Sequence, residues 1–318
     1  MRDATAPKIT FMLQRLRKKT GVPEGIRTPD LRFRKPLLYP AELPGRARHY
    51  SRKARNHSRA LGWALMSLVW MGPSLAQTCP KPEQNVGPVI KIHSRLELEL
   101  RDGRLIKPIH LMGFEPSARG AARMAQAQAA LQDWTRGQAL ALPQRLPLPD
   151  RWGRLLTPAF LASGEDIGLK LVAQGLMRVG PNQTDPCLAP LLAAEIQARN
   201  AKLGLWADSY YAVLLTQSPA DFTAKAREHA GEFVIVEGQV QRVGQTPARF
   251  YLDLGSAKGS NLSVTFSRQY AKAFASNGVA AEGLMGKTIR VRGQLEYRTR
   301  SQIEIYTPAA VEVMDVKL

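Results

Sequence analysis

From residue 89 the chain alternates apolar and polar positions with a period of two. Val89 to Ile92 is followed by Leu96, Leu98 and Leu100, which alternate with Glu97, Glu99 and Arg101. The pattern predicts half-buried strands, and Asp102-Gly103 predicts a hairpin turn into Leu105-Ile106. A third strand is predicted over Ile109 to Gly113. The Ala-rich run Ala121 to Trp134 reads as a helix closed by Gly137, ahead of a strand from Ala139 to Leu142. Asp150 to Leu156 reads as a turn entering a strand. Two helices follow, one from Glu165 to Gln174 stopped by Gly175, the other from Pro186 to Lys202. In the second, Leu188, Leu191, Leu192, Ile196, Arg199 and Leu203 recur at helical spacing, with Asp185 as N-cap and Gly204 as terminator. Its apolar stripe is expected to pack on the sheet.

The last third is richer in strands. After a helix from Pro219 to Glu228, strands are predicted over Phe233 to Val243, Phe250 to Leu254, Leu262 to Phe266, Thr288 to Tyr297 and Ile303 to Ile305. A helix from Arg268 to Ala275 falls between the third and fourth. Five strands with a helix in that position is the order of an OB-type barrel. The expected fold class is mainly β with α, an α+β chain.

The formal net charge of +19 is unevenly spread. Residues 1–60 hold 16 Lys and Arg against 4 Asp and Glu, and the remainder carries only +7. Within the basic segment, Arg55 to Arg59 precedes an uncharged run from Ala60 to Ala76 that is short for a membrane span. That run ends in Gly72-Pro73 and then Ser74-Leu75-Ala76, and it resembles a signal peptide cleaved after Ala76. An uncleaved anchor is the alternative, and a lipoprotein reading is weaker because Gln77 and Thr78 precede Cys79. Residues 24–43 resemble a translation product of a transfer RNA gene, so a start near Arg55 is expected; a basic tail for nucleic acid or acidic lipid is the other reading. The expected organisation is an extension over 1–54, a signal peptide over 55–76, one domain over 77–210, a linker helix over 211–229 and a barrel over 230–318. The mature chain is expected to be secreted or periplasmic, with no membrane span.

Cys79 and Cys187, the only two cysteines, both follow the cleavage site. In an oxidising compartment they are expected to pair, whereas two cysteines alone make no structural zinc site.

Glu195 to Trp206 resembles the closing helix of thermonuclease-like (staphylococcal-nuclease-like) domains. Gly175-Leu176-Met177-Arg178-Val179 resembles the family's Gly-Leu-Ala-x-Val turn, and Asp150 to Leu156 its Asp-Arg-Tyr-Gly-Arg-Leu motif. The resemblance implies a five-stranded OB-type barrel with three helices, giving two such barrels in the chain. It also implies phosphodiester hydrolysis with calcium, a general-base Glu and two phosphate-clamping Arg.

Position by position, Arg154 matches one clamp, or is an ion-pair residue. The family's Arg-Leu-x-Gly-Ile-Asp-x-Pro-Glu motif aligns so that His110 replaces the other clamp, Glu115 the metal-binding Asp and Ala118 the general base. His93-Ser94-Arg95 stands where further carboxylates belong, so Arg95 places positive charge at the metal position. No resident metal or cofactor is therefore expected, with calcium reserved for an active enzyme with displaced ligands. His110 is an alternative base.

In the last third, Arg290, Arg292, Arg298 and Arg300 with Tyr297 and Tyr251 are candidates for tracking a nucleic-acid backbone. OB-type tails found after degenerate nuclease domains are similar. Three functions stay open: a non-catalytic or impaired nuclease relative binding nucleic acid or another polyanion, an active metal-dependent phosphodiesterase, and an envelope scaffold or protein-binding module.

Overall fold

A computed structural model describes residues 79–109, 111–181, 187–256 and 259–314. The extension over 1–54, the signal-peptide segment 55–76, His110 and the Asp185-Pro186 cap lie outside the described residues.

The first half contains β1 (Gln84–Ile92), β2 (Leu98–Leu100), β3 (Leu105–Lys107), β4 (Leu111–Met112), α1 (Ala118–Thr135), β5 (Ala139–Leu142), β6 (Arg154–Leu156), α2 (Ile167–Ala173), β7 (Arg178–Val179) and α3 (Leu188–Asn200). Its five-stranded sheet has the order β5-β1-β2-β3-β6, while β4 and β7 make a separate pair. Irregularities between Asn85 and Gly87 and between Val89 and Lys91 let β1 serve both β5 and β2. The sheet curves into a half-barrel, open because the end strands β5 and β6 do not pair. Leu98, Leu100, Ile106, Leu131, Leu140 and Leu171 fill it at zero exposure, each such side chain stabilising the fold by about 1.5–3 kcal/mol.

The second half contains β8 (Leu214–Leu215), α4 (Pro219–Glu228), β9 (Phe233–Gln245), β10 (Arg249–Ser256), β11 (Gly259–Ser267), α5 (Ala271–Ser276), β12 (Thr288–Tyr297), β13 (Ser301–Glu304) and β14 (Val311–Met314). Pairing of β12 with β9 closes a five-stranded barrel in the circular order β9-β10-β11-β13-β12. Phe250, Phe266 and Phe274 stack successively at 5.2 and 4.2 Å, so α5 plugs the barrel with its single large aromatic. Strands β8 and β14 extend the sheet outside the circle.

Local chemistry explains where elements begin. The Ser117 hydroxyl accepts from Gly120 N at 3.1 Å, so α1 starts three residues before its expected Ala121. Asp166 accepts from Leu169 N at 2.8 Å and delays α2 to Ile167. Leu96 is buried but has φ of 62°, so it belongs to a turn and β2 begins at Leu98. The stripe of α3 packs against α2 and β7 rather than the five-stranded sheet: Leu191 meets Val172 and Val179. At the crossing of the α2 and α3 ends, Leu205 N donates to Gly175 O at 2.8 Å. A Cβ on Gly175 would lie 2.2 Å from Leu203 O, and φ there is +65°, so only glycine fits.

The described residues of both halves belong to one compact unit. They are joined by a buried charge cluster. Glu195 of α3, at zero exposure, accepts from Val179 N at 2.8 Å and faces Arg292 of β12 at 3.0 Å. Arg292 is 1% exposed and also meets Glu312 at 2.5 Å and Val179 O at 2.9 Å. Burial opposes its charge, but Glu195 and Glu312 outweigh that and hold its pKa above the ordinary arginine value. The expected disulfide is present between Cys79 and Cys187, tying the residues that lead into β1 to the start of α3. No helix among the described residues is long and apolar enough to cross a membrane.

Candidate anion-binding cleft

Arg154 opens β6, and the turn before it is built to hold its guanidinium. Asp150 Oδ1 accepts from the backbone of Trp152 and Arg154 at 2.9 and 3.0 Å, and Gly153 closes the turn with φ of +75°. Asp150 Oδ2 takes Nε and Nη2 of Arg154 at 2.9 and 2.7 Å. The third nitrogen, Nη1, reaches Glu97 Oε1 at 3.2 Å. Glu97 is 8% exposed, so this is a sheltered carboxylate. Parallel pairing of β3 with β6 sets Lys107 opposite Leu156, two residues beyond Arg154. Lys107 Nζ lies 3.8 Å from Glu97 and donates to Arg95 O at 2.6 Å.

Arg95, Lys107 and Arg154 line one cleft of about 360 Å³, with Leu111, Phe114 and Met177 as its apolar walls. Burial, followed by the charges of Arg154 and Arg95 working against Glu97, lowers the Lys107 pKa below its ordinary 10.5. Hydrogen bonds to Asp150 lead the causes that raise that of Arg154. Burial pushes Asp150 upward, yet hydrogen bonds from Arg154 and Trp152 hold it below the usual carboxylate value. Beside the cleft, Trp152 is 56% exposed, its ring 3.9 Å from the Arg151 guanidinium carbon and 4.6 Å from that of Arg154. An exposed indole flanked by two guanidiniums thus stands next to the cationic groove.

Apart from Arg95, which lines the cleft, the other described positions aligned with catalysis are dispersed. His93 Nε2 bonds Glu99 at 2.8 Å, and Arg95 is exposed. Glu115 accepts from Tyr211 Oη at 2.8 Å and Ser117 Oγ at 3.1 Å, and shares no ion pair or hydrogen bond with Arg154. Ala118 is an exposed first residue of α1 and carries no titratable group. His110 lies outside the described residues. Calcium collects six to eight oxygens, several of them anionic. The carboxylates at the cleft are Glu97 and Asp150, both already bonded to cations. Among the described residues no three His, Cys, Asp or Glu side chains group to hold a metal. The described donor set does not fit calcium.

In the closed barrel the candidate nucleic-acid residues separate. Arg290 is 9% exposed and paired with Glu237 at 2.7 Å and Glu312 at 3.7 Å. Arg290 and Arg292 alternate with the core-facing Ile289 and Val291, and at 9% and 1% exposure neither guanidinium is offered to solvent. The two lie on one face of β12, where Arg292 meets Glu195 and Val179 of the first half and Arg290 is paired within the barrel. Arg298 and Arg300 are exposed on the β12–β13 turn, beside half-buried Tyr297, whose hydroxyl accepts from Arg227 Nε at 2.8 Å. Tyr251, also half-buried, sits on β10 opposite Gly244 and Thr265. Sequence reasoning missed Lys107 and Trp152. The signal for Lys107 was the pairing of β3 with β6; that for Trp152 was an aromatic in the turn leading to Arg154.

A family model described as Staphylococcal nuclease homologue matches residues 120–208, which run from α1 through the Arg154 turn to the end of the α3 region. A search of the curated proteins returned no match. Residues 120–208 of this chain are a thermonuclease-like domain, and it is followed by a closed five-stranded barrel.

Proposed function

We propose that the protein acts outside the cytoplasm as a thermonuclease relative that binds nucleic acid or another polyanion without cleaving it. The observation that carries this is the cleft of Arg95, Lys107 and Arg154, whose nearby carboxylates are already bonded to cations. Such a cleft suits phosphate oxygens, with Trp152 placed to stack a base. The disulfide supports export, because such bonds persist in oxidising compartments. The exposed Arg298 and Arg300 extend the cationic surface on the second barrel.

Fluorescence anisotropy of a labelled single-stranded oligonucleotide tests the assignment. Trp152→Ala is expected to weaken binding by about 1–3 kcal/mol for a lost base stack. Lys107→Ala is expected to weaken it across all sequences and to reduce the salt slope by about one phosphate contact. Unchanged affinity in both variants contradicts the cleft as the binding site.

Lys107 also fixes a pH dependence. Its protonated form holds the anion, and its folded pKa lies below 10.5. Affinity therefore falls as pH rises through that lowered value, before ordinary lysines titrate, and Lys107→Arg removes the early fall. The unfolded chain keeps this proton to higher pH, so the lysine's contribution to folding stability rises across the same window. Titration of oligonucleotide affinity against pH in native protein and Lys107→Arg reads both expectations for binding.

A further inference from the structure

A second cavity, of about 460 Å³, lies between the halves, bounded by the loop after β4, β7, the start of β9 and the β13 end of the closed barrel. Its volume is that of a small-molecule site. Arg178, 5% exposed, lines it. The guanidinium donates Nη1 to Phe233 O at 2.9 Å, while Nη2 reaches Gly113 O only at 3.4 Å and Nε has no partner. Other arginines of this chain fill that edge: Arg154, Arg242 and Arg290 each give Nε and Nη2 to one carboxylate oxygen. Among these four, Arg178 alone has no carboxylate on that edge. Burial lowers its pKa, with Tyr211 and Glu115 the first groups opposing that shift.

Glu115 lines the same cavity, and its hydrogen bonds come from the hydroxyls of Tyr211 and Ser117. No ion pair joins it to Arg178 or to another cation among the described residues. The cavity thus carries a guanidinium that makes no ion pair among the described residues and a carboxylate held only by hydroxyls, between apolar walls that include Met112, Phe114, Phe233 and Ile305. A simple anion would meet Glu115, Glu232 and Glu304 on the same walls, and a simple cation would leave Arg178 without a counter-charge. A ligand with both signs satisfies both groups.

We propose that this cavity binds a small zwitterion of the free amino-acid class, its carboxylate on the Nε and Nη2 edge of Arg178, its ammonium on Glu115 and its apolar side chain against Phe114, Phe233 and Ile305. The site adjoins the cationic cleft at Gly113 and Phe114, but its polar groups, Arg178 and Glu115, are not among that cleft's lining residues.

Titration of the full-length protein with leucine, isocaproate and isoamylamine tests this, read by the Arg178 Nε–H nuclear magnetic resonance signal and by melting temperature. Leucine is expected to shift the signal saturably and raise the melting temperature. Isocaproate lacks the ammonium and isoamylamine the carboxylate, so each binds at least about tenfold more weakly. Glu115→Gln keeps an acceptor for Tyr211; it is expected to weaken leucine by about tenfold and bring isocaproate level with it. An Arg178 signal unmoved by leucine overturns the proposal, as does isocaproate binding native protein as tightly as leucine.

Discussion

Arg292→Met is expected to lower the unfolding free energy by about 3–5 kcal/mol, because it strands a buried carboxylate. Glu195 at zero exposure would keep Val179 N but lose its ion pair with Arg292, and Glu312 would lose its 2.5 Å partner. Methionine fills much of the same volume, so the loss is electrostatic rather than a cavity. Adding Glu195→Leu should recover part of it, since an apolar replacement of the whole cluster is often neutral. By contrast, Arg298→Ala and Arg300→Ala, on an exposed turn, should change stability within about 0.5 kcal/mol. Denaturant melts of the four variants separate the two groups. A small loss for Arg292→Met would mean that the halves are not held by this cluster.

Removing the disulfide is expected to have the next largest effect. Cys79 and Cys187 are 108 positions apart, and opening so long a loop costs about 2–5 kcal/mol of stability. The bond also fixes the residues leading into β1 against the start of α3. Cys79→Ser with Cys187→Ser should lower the denaturation midpoint, and reductant should do the same to native protein while leaving the double variant unchanged. If reductant shifts both proteins equally, the cross-link is not the source of the stability.

The sequence reported most where one face of an element is covered and the other wet. The alternation in β9, β10 and β12 places those strands within a residue or two, and α4 runs from Pro219 to Glu228 as expected. The closing α3 region was legible because Glu195, Ala198 and Leu205 meet specific partners in β7, the loop after α2 and the closed barrel. Boundaries failed where a side chain competed with the repeating pattern, as Ser117 and Asp166 did at helix starts. Strands β8 and β14 were missed, being added to edges of a barrel whose circle is complete without them.

The site was legible only in its local part. Asp150 and Arg154 lie four residues apart, and their motif announces the turn that joins them. Glu97 reaches Arg154 from 57 positions away, which no local pattern records. Arg290 and Arg292 illustrate the opposite error: alternating arginines on a strand look solvated until their partners are placed, Glu237 and Glu312 of the same barrel for Arg290 and the buried Glu195 of the first half for Arg292. Charge pattern gives the face, whereas tertiary packing decides whether that face sees water.

The central claim is that the cationic cleft holds a polyanion and does not hydrolyse it. The most direct measurement follows a labelled single-stranded oligonucleotide with the full-length protein, scoring binding and chain integrity together as calcium is added. The account predicts a salt-sensitive complex in which the oligonucleotide stays intact at every calcium level. Cleavage that appears with calcium and disappears in Arg154→Ala would contradict it.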